Sequence, residues 1–309
     1  MEVTVTGASG LIGRALVSAL IARGDRVTVL SRDPGHARAK LPVETMAERW
    51  DPLSESAPAF ALDGRDAVVH LAGEPVAQRW SDQAKRAIRD SRVTGTANLV
   101  AGLRALEPSA RPSVLVSSSA IGYYGPHGVE PLDEEAPAGD DFLAQVCERW
   151  ETEARAADEL GLRTVQLRTG VVLDREGGAL AKMLPPFRLG IGGPVAGGRQ
   201  YVAWVHRDDL VEMMLAALSD ERWSGPFNAT APEPVTNRDL SHALGAALRR
   251  PAILPVPGLA LRMLYGEMAQ IVTSGVRAVP AKALVLGYQF AYPELHKALT
   301  AALSRAEPS

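Results

Sequence analysis

The sequence predicts an α/β protein with a doubly wound parallel sheet and a small C-terminal substrate lobe. Two observations predict this class. In the first half, short β-branched runs alternate with longer segments of helical spacing, which is the pattern of βαβ units. In the second half, residues 177–198 are rich in glycine and proline. This composition indicates loops around a short helix, where a lobe would lie over the sheet.

The individual elements follow from the same patterns. Strands buried on both faces of a sheet read as continuous apolar runs, and such runs occupy 3–6, 27–30, 67–71, 114–117 and 163–167. Apolar residues at helical spacing predict helices at 11–23, 81–106, 141–160, 206–218 and 236–248. Ser81 and Thr236 are the expected N-caps of two of these helices.

Composition excludes several classes of protein. The formal net charge is −3, and acidic and basic residues alternate without the basic stripe of a nucleic-acid binder. No apolar run reaches the roughly 18 residues of a membrane span, and the chain opens on a strand rather than a signal peptide. Cys147 is the single cysteine, and no His, Asp or Glu grouping has metal-ligand spacing. We therefore expect a cytoplasmic protein without nucleic-acid, membrane or metal partners.

A glycine-rich turn follows the first predicted strand. Gly7, Gly10 and Gly13 lie between that strand and the helix at 11–23. This spacing permits a tight turn, a close approach of backbone N–H groups to a diphosphate, and close packing of helix on strand. A turn without a ligand is the alternative interpretation. The sequence favours a dinucleotide site of the Rossmann type, with contacts from Gly7, Ser9, Gly10, Leu11, Ile12 and Gly13.

The end of the second strand favours NADP(H) over NAD(H). Ser31 stands where an acid would bind the ribose of NAD, and Arg32 beside it can bind the 2′-phosphate of NADP. Arg14 adds a second positive charge. Asp33 is the residue that would favour NAD, but it precedes Pro34 and is expected to cap the next helix. NADP(H) is therefore the predicted cofactor.

Further motifs carry a resemblance to a known family. They are His70-Leu71-Ala72-Gly73, Ser117-Ser118-Ser119-Ala120 and Trp204-Val205-His206-Arg207-Asp208-Asp209. Together with the glycine turn, they resemble the extended short-chain dehydrogenase/reductase superfamily, which includes sugar-nucleotide epimerases. One branch is more similar still, the uncharacterised "epimerase family" proteins that include the bacterial YfcH-like group. Its features are Ala72-Gly73-Glu74-Pro75, Ser91-Arg92, Gly122-Tyr123-Tyr124-Gly125 and the tail at 287–293.

This resemblance implies roles for particular residues. Asp51 is expected near the adenine, and Arg168 beside the nicotinamide. The adenosine ribose is expected next to the residues that follow the strand at 67–71, namely Leu71, Ala72 and Gly73. Ser119 falls at the position of the catalytic serine.

The sequence departs from the superfamily at its acid/base pair. Members carry Tyr and Lys four residues apart on one helical face, and no Tyr-x-x-x-Lys occurs in this chain. Leu143 and Cys147 stand in those two places. The candidate catalytic residues that remain are Ser119 and Tyr124, although a serine bonded to backbone and a pocket-lining aromatic are the structural alternatives.

Other polar residues are weighed in the same way. Glu74 and Tyr123 are candidate substrate contacts, whereas Cys147 is expected to be a buried packing residue. Lys85, Arg89 and Arg92 lie on a predicted helix and have the pattern of a solvated face.

Two functions remain open. The first is an NADP(H)-dependent oxidoreductase or epimerase acting on a small polar or nucleotide-sugar-like substrate. The second is a non-catalytic NADP(H)-binding sensor or partner-binding protein, which the missing Tyr and Lys suggest. We assign 1–170 to the NADP-binding Rossmann domain and 171–309 to a mixed segment that completes the sheet and forms the substrate lobe, in one compact unit. The apolar stretch 259–272 is either core or a dimer interface, so a monomer or a homodimer is expected.

Overall fold

A computed structural model describes residues 1–304 of the chain, so the last five residues of the segment 171–309 lie outside the described part. The strands are β1 Glu2–Thr6, β2 Arg26–Ser31, β3 Met46–Arg49, β4 Ala67–His70, β5 Val114–Ala120, β6 Arg163–Thr169, β7 Val171–Leu173, β8 Tyr201–Val202, β9 Trp204–His206, β10 Gly225–Ala229 and β11 Val235–Thr236. The helices are α1 Leu11–Ala22, α2 Pro34–Arg38, α3 Asp82–Arg104, α4 Phe142–Arg155, α5 Gly178–Arg188, α6 Arg207–Ser219, α7 Asn237–Leu248, α8 Gly258–Tyr265, α9 Ala269–Thr273, α10 Ala281–Val285 and α11 Leu295–Ser304.

The central sheet of the described residues has seven parallel strands in the order β10-β6-β5-β4-β1-β2-β3. The chain runs outward from β1 in one direction through β2 and β3, and in the other direction from β4 onward. In sheets of this order, a dinucleotide binds in the crevice where the order reverses, which here is between β1 and β4. The expected Rossmann fold is confirmed. The two edge strands, β3 and β10, were not predicted from the sequence.

Both faces of the sheet are covered, which explains why its strands read as unbroken apolar runs. On one face, Val5 and Val116 belong to the same buried cluster as Leu16 of α1 and Met214 of α6. On the other face, the buried cluster includes Leu115 of β5 together with Leu99 and Leu103 of α3. The sheet is therefore packed against helices on both of its faces.

Side-chain caps fix the starts of most long helices. Ser81 and Asp141 accept hydrogen bonds from the backbone amides three residues later, at 3.2 and 2.8 Å. Thr236 does the same at 3.2 Å, so both predicted caps are confirmed. The helix predicted at 141–160 is shorter than expected, because α4 ends at Arg155 and a 3-10 turn covers Asp158–Leu160.

The start of α6 anchors the C-terminal tail. His206 caps this helix by accepting from the Asp208 amide at 3.2 Å. The buried Asp209 carboxylate accepts from the backbone amides of Ala291 and Tyr292, at 2.7 and 3.0 Å. The tail motif at 287–293 is therefore held by a buried carboxylate of the motif at 204–209.

The apolar stretch at 259–272 forms short helices on the surface. No residue of α8 is buried, and Leu259 and Met263 are each 70 % exposed. Just beyond α8, Glu267 forms an ion pair with Lys85 of α3. Within the stretch, α8 is therefore not part of the core, whereas Met268 and Ala269 beyond it are buried. The interpretation of the stretch as an interface remains a prediction. None of the helices in residues 1–304 is long and apolar enough to cross a membrane.

Candidate nucleotide-binding and active site

The three glycines of the first turn are required for different reasons. A Cβ on Gly7, whose φ is +69°, would lie 2.6 Å from the carbonyl carbon of Leu71. A Cβ on Gly13 would lie 2.4 Å from the Gly7 carbonyl oxygen. A Cβ on Gly10 would meet nothing closer than that oxygen, at 3.3 Å. Gly7 and Gly13 are thus needed by the fold itself, whereas the open side of Gly10 leaves room for a ligand.

The amino end of α1 is built for an anion. Gly10 is its N-cap and offers no side chain to its amides, and the first turn of this 12-residue helix has no acidic residue. The partial positive charge of the helix end and its open N–H groups suit a diphosphate. Ser9, Leu11 and Ile12 are half-buried in this turn, and the Leu11 side chain packs against Gly177. The turn therefore fits the diphosphate of a dinucleotide.

The end of β2 carries a positive charge without a competing acid. The Asp33 carboxylate accepts from the His36 amide at 2.9 Å, so the predicted cap of α2 is confirmed. The Ser31 hydroxyl donates to the Asp33 carbonyl at 3.1 Å. Arg32 is exposed and makes no ion pair within residues 1–304. Arg14 lies 3.7 Å from Glu176, so its charge is partly matched inside the protein.

Asp51 follows β3, and Leu71, Ala72 and Gly73 follow β4, so both sets lie at the carboxyl end of the sheet. Asp51 lies in a turn where its carboxylate accepts from the Leu53 amide at 3.2 Å. The Thr6 hydroxyl accepts from the amides of Leu71 and Ala72, at 3.2 and 3.3 Å, which places both residues against the glycine turn. Gly73 follows at the exposed edge.

A buried histidine supports that arrangement. His70 Nδ1 lies 2.7 Å from the Thr6 hydroxyl, and Nε2 lies 3.0 Å from that of Thr96. Burial lowers the pKa of His70 to about 4, so the ring is neutral at physiological pH. Sequence reasoning did not assign Thr6 and His70 any role. The signal available in the sequence was that each of these polar residues ends an otherwise apolar strand.

Ser119 lies near the carboxyl end of β5, which runs three residues further than predicted. Its hydroxyl donates to Glu151 Oε1 at 2.6 Å, and Ser119 is 4 % exposed. Glu151 is wholly buried and was not predicted. It lies four residues beyond Cys147 on the same face of α4, which was the signal available in the sequence.

Arg168 lies beneath this pair rather than beside a cofactor. Its Nε and Nη2 donate to the two oxygens of Glu151, at 2.8 and 2.9 Å, and Nη1 donates to the Tyr124 hydroxyl at 3.1 Å. Burial alone would lower the pKa of Arg168, but the Glu151 contacts raise it above its ordinary value. At 2 % exposure this guanidinium is structural, which corrects its assignment as a nicotinamide contact.

Tyr124 is also an internal residue. Its hydroxyl lies 2.7 Å from Asn228 Oδ1 and 2.9 Å from the Asp133 carbonyl oxygen, and its side chain is fully buried. Burial raises the pKa of Tyr124 to about 12, against the opposing charge of Arg168. The phenol links β6 to β10 and does not face the crevice as a proton donor. This corrects its assignment as a catalytic residue.

The face of α4 that carries Tyr and Lys in the resembled superfamily carries Leu143 and Cys147 in this chain. A Cβ on Gly122 would lie 3.5 Å from Leu143 and 3.9 Å from the Cys147 Sγ, so both residues line the turn after β5. Burial and the charge of Glu151 raise the pKa of the Cys147 thiol to about 12, although Arg92 opposes the rise. The thiol is therefore protonated at neutral pH and serves as packing, as the sequence predicted.

The two candidate substrate contacts lie at different depths. Tyr123 stacks on Arg168, whose Cζ is 3.5 Å from the ring centre, and is half-buried. Glu74 is held by its backbone, because its amide donates to the Ser91 hydroxyl at 2.9 Å. Its Oε1 accepts from the Gln78 side chain at 3.3 Å. Their contact with a substrate stays a prediction.

The fold, the glycine turn and the crevice at the reversal point define a dinucleotide-binding protein of the short-chain dehydrogenase/reductase class. Residues 3–229 match the family described as "NAD dependent epimerase/dehydratase family". Residues 256–302 match a domain of unknown function, DUF1731. The chain belongs to the NAD dependent epimerase/dehydratase family, and within it to the branch of epimerase family proteins that the resemblance indicated.

Curated relatives extend over nearly the whole chain. The chain is 41% identical over 306 residues to "Epimerase family protein SDR39U1 homolog, chloroplastic" of Arabidopsis thaliana, covering 97% of this chain and 86% of the relative. It is 33% identical over 302 residues to "Epimerase family protein YfhF" of Bacillus subtilis, covering 97% of each.

Two solved structures are similar to this fold. One is human epimerase family protein SDR39U1 with NADPH, with a TM-score of 0.88 at 35% identity over 99% of this chain and 100% of that one. The other is the nucleoside-diphosphate sugar epimerase from Corynebacterium glutamicum, with a TM-score of 0.77 at 34% identity. This second match covers 98% of this chain and 58% of the other.

Proposed function

We propose that this chain binds NADP(H) and transfers hydride between it and a small polar or nucleotide-sugar-like substrate, as an oxidoreductase or an epimerase. The observation that carries the proposal is the combination of an uncapped α1 beside Gly10 with an unpaired Arg32 at the end of β2, within residues 1–304. The first suits a diphosphate and the second suits a 2′-phosphate. The NADPH in the structure of the human relative supports the same cofactor.

The residues that meet the substrate oxygen must differ from the usual Tyr and Lys. When bound, the nicotinamide supplies or accepts the hydride. Ser119 donates its only proton to Glu151, which accepts hydrogen bonds through both of its oxygens. The Ser119 oxygen is then left to accept a hydrogen bond. It suits a hydroxyl group of the substrate. As the alcohol is oxidised, the substrate proton would pass to the Ser119 oxygen while the Ser119 proton passes to Glu151 Oε1.

Turnover assays test this proposal. Fluorescence titration is expected to give saturable NADPH binding that is tighter than NADH binding. Alcohols, aldehydes, ketones and nucleotide sugars are then screened by cofactor absorbance, and epimerisation of the sugars by NMR. Ser119→Ala is expected to lower kcat/KM about a hundredfold with NADPH affinity unchanged. Ser118→Ala, at the neighbouring position of the strand, is the control. Bound cofactor without turnover across the whole panel contradicts catalysis.

A non-catalytic NADP(H)-binding sensor is the second candidate. It is favoured by the chemistry of α4, where Leu143 has no proton to give and the raised pKa of Cys147 keeps its thiol neutral. Analytical ultracentrifugation with NADP⁺ and with NADPH tests it, since a sensor is expected to change its oligomeric state or partner affinity between the two. Turnover that Ser119→Ala abolishes would refute this candidate.

A further inference from the structure

Arg92, near the middle of α3, reaches the loop after β4. Its Nη1 donates to the carbonyl oxygens of Glu74 and Ile88, at 3.0 and 3.1 Å. A Cβ on Gly73 would lie 3.2 Å from the Arg92 Cζ and 3.3 Å from Nη2. The guanidinium is thus packed on the loop and half-buried, which corrects the expectation of a solvated face.

The order of the strands places Arg92 on a particular half of the crevice. Arg32 follows β2, so the adenosine side of the crevice lies over β2 and β3. The nicotinamide half of a dinucleotide extends across the reversal point, over β4, β5 and β6. Gly73 is expected beside the adenosine ribose, but Arg92, which packs on it, also faces Trp150 of α4, the helix that packs on β5. Arg92 therefore lies on the nicotinamide half.

On its other side, Arg92 faces α4. Its Cζ lies 5.2 Å from the centre of the Trp150 ring. Its positive charge also acts on Cys147, where it opposes the rise of the thiol pKa. Cys147 stands at the position of the lysine in the resembled superfamily. The fold thus brings a cation from α3 to the place where α4 lacks one.

Part of the Arg92 guanidinium is available to donate hydrogen bonds to a ligand. Its Nε and Nη2 have no hydrogen-bond partner in the part of the chain that the structure describes. The buried indole Nε1 of Trp150 is likewise without an acceptor among those residues. A ribose diol offers two acceptor oxygens, and the fork of an arginine can bind both at once.

We propose that Arg92 binds the hydroxyl groups of the nicotinamide ribose and supplies the positive charge that a lysine on α4 would otherwise supply. This inference rests on the proposed binding of NADP(H). Because Arg92 faces α4 and contacts neither the glycine turn nor Arg32, its contribution is confined to one half of the cofactor.

The experiment compares a ligand that contains both halves of the cofactor with one that contains only the adenosine half. Dissociation constants are measured by calorimetry for NADPH and for 2′,5′-ADP, which carries the adenosine half alone. The proteins are the wild type, Arg92→Met, Arg92→Lys and the control Arg86→Met, an exposed arginine on the same helix. Arg92→Met is expected to weaken NADPH binding about tenfold or more and to change 2′,5′-ADP binding less than about twofold. Arg92→Lys is expected to recover part of the loss, and Arg86→Met to change neither constant.

The two ligands separate the possible failures. Unchanged NADPH affinity in Arg92→Met overturns the role of Arg92 while the proposed function stands. Equal losses for both ligands overturn it as well, because they indicate damage to the loop rather than a missing contact. If the wild type binds neither ligand, the proposed function fails, and the inference fails with it.

Discussion

The buried pair of Arg168 and Glu151 makes a strong quantitative prediction. Arg168→Met removes a guanidinium that donates twice to Glu151, at 2.8 and 2.9 Å, and once to the Tyr124 hydroxyl. The remaining donors near Glu151 are the Ser119 hydroxyl and the guanidinium of Arg155, which is 4.0 Å away. A buried carboxylate that loses its partner costs about 3–5 kcal/mol of stability. We expect Arg168→Met to lower the free energy of unfolding by that amount.

Urea denaturation followed by tryptophan fluorescence measures this loss. The double variant Arg168→Met/Glu151→Leu is expected to be at least about 2 kcal/mol more stable than Arg168→Met alone, because no unpaired charge remains. Lys297→Met, which removes an exposed ion pair with Glu294, is the control and is expected to leave stability unchanged. The reasoning is refuted if Arg168→Met is as stable as Lys297→Met. A double variant no more stable than the single one would show that the orphaned charge is not the cause.

Three further predictions concern the crevice. Gly10→Ala is expected to keep the melting temperature and weaken NADPH binding about tenfold, whereas Gly13→Ala, whose Cβ would lie 2.4 Å from a carbonyl oxygen, costs about 1–3 kcal/mol of stability. Equal melting temperatures for the two variants would contradict this. Arg32→Ala is expected to weaken NADPH binding about tenfold without affecting NADH, while the control Lys40→Ala weakens neither. The pKa of His70 falls from 6.5 to about 4 on folding, so the unfolded chain binds a proton first. Stability is therefore expected to fall by about 3 kcal/mol as pH drops from 6.5 to 4, and His70→Gln to flatten that decline in pH-dependent denaturation.

The sequence predicted the centre of the sheet better than its edges. Strands such as 27–30 are buried on both faces, so their composition is continuous and their bounds are nearly right. β3 and β10 read Met-Ala-Glu-Arg and Gly-Pro-Phe-Asn-Ala, which carry no such signal. They become strands because β2 and β6 offer unpaired edges, and that is a tertiary effect.

The nucleotide turn could be predicted because its geometry depends on local residues, whereas the polar network could not. Ser119, Glu151 and Arg168 come from β5, α4 and β6, and only the packing of these elements brings them together. The pattern of Arg92 is that of a solvated face, since nothing local indicates that the loop at Gly73 folds over it. Such contacts depend on pairs distant in sequence, which residue patterns do not report.

Because α1 has no side-chain cap, the stability of the folded chain is expected to depend on the ligand bound at its first turn. An empty first turn leaves its amides to water, so they are expected to exchange hydrogen for deuterium faster than those at the start of α3, which Ser81 protects. A ligand present at a hundredfold excess over its dissociation constant adds about 2.7 kcal/mol to the folded state. Resistance to cellular proteases would then rise and fall with the supply of that ligand, so the lifetime of the protein would reflect the metabolic state of its cell.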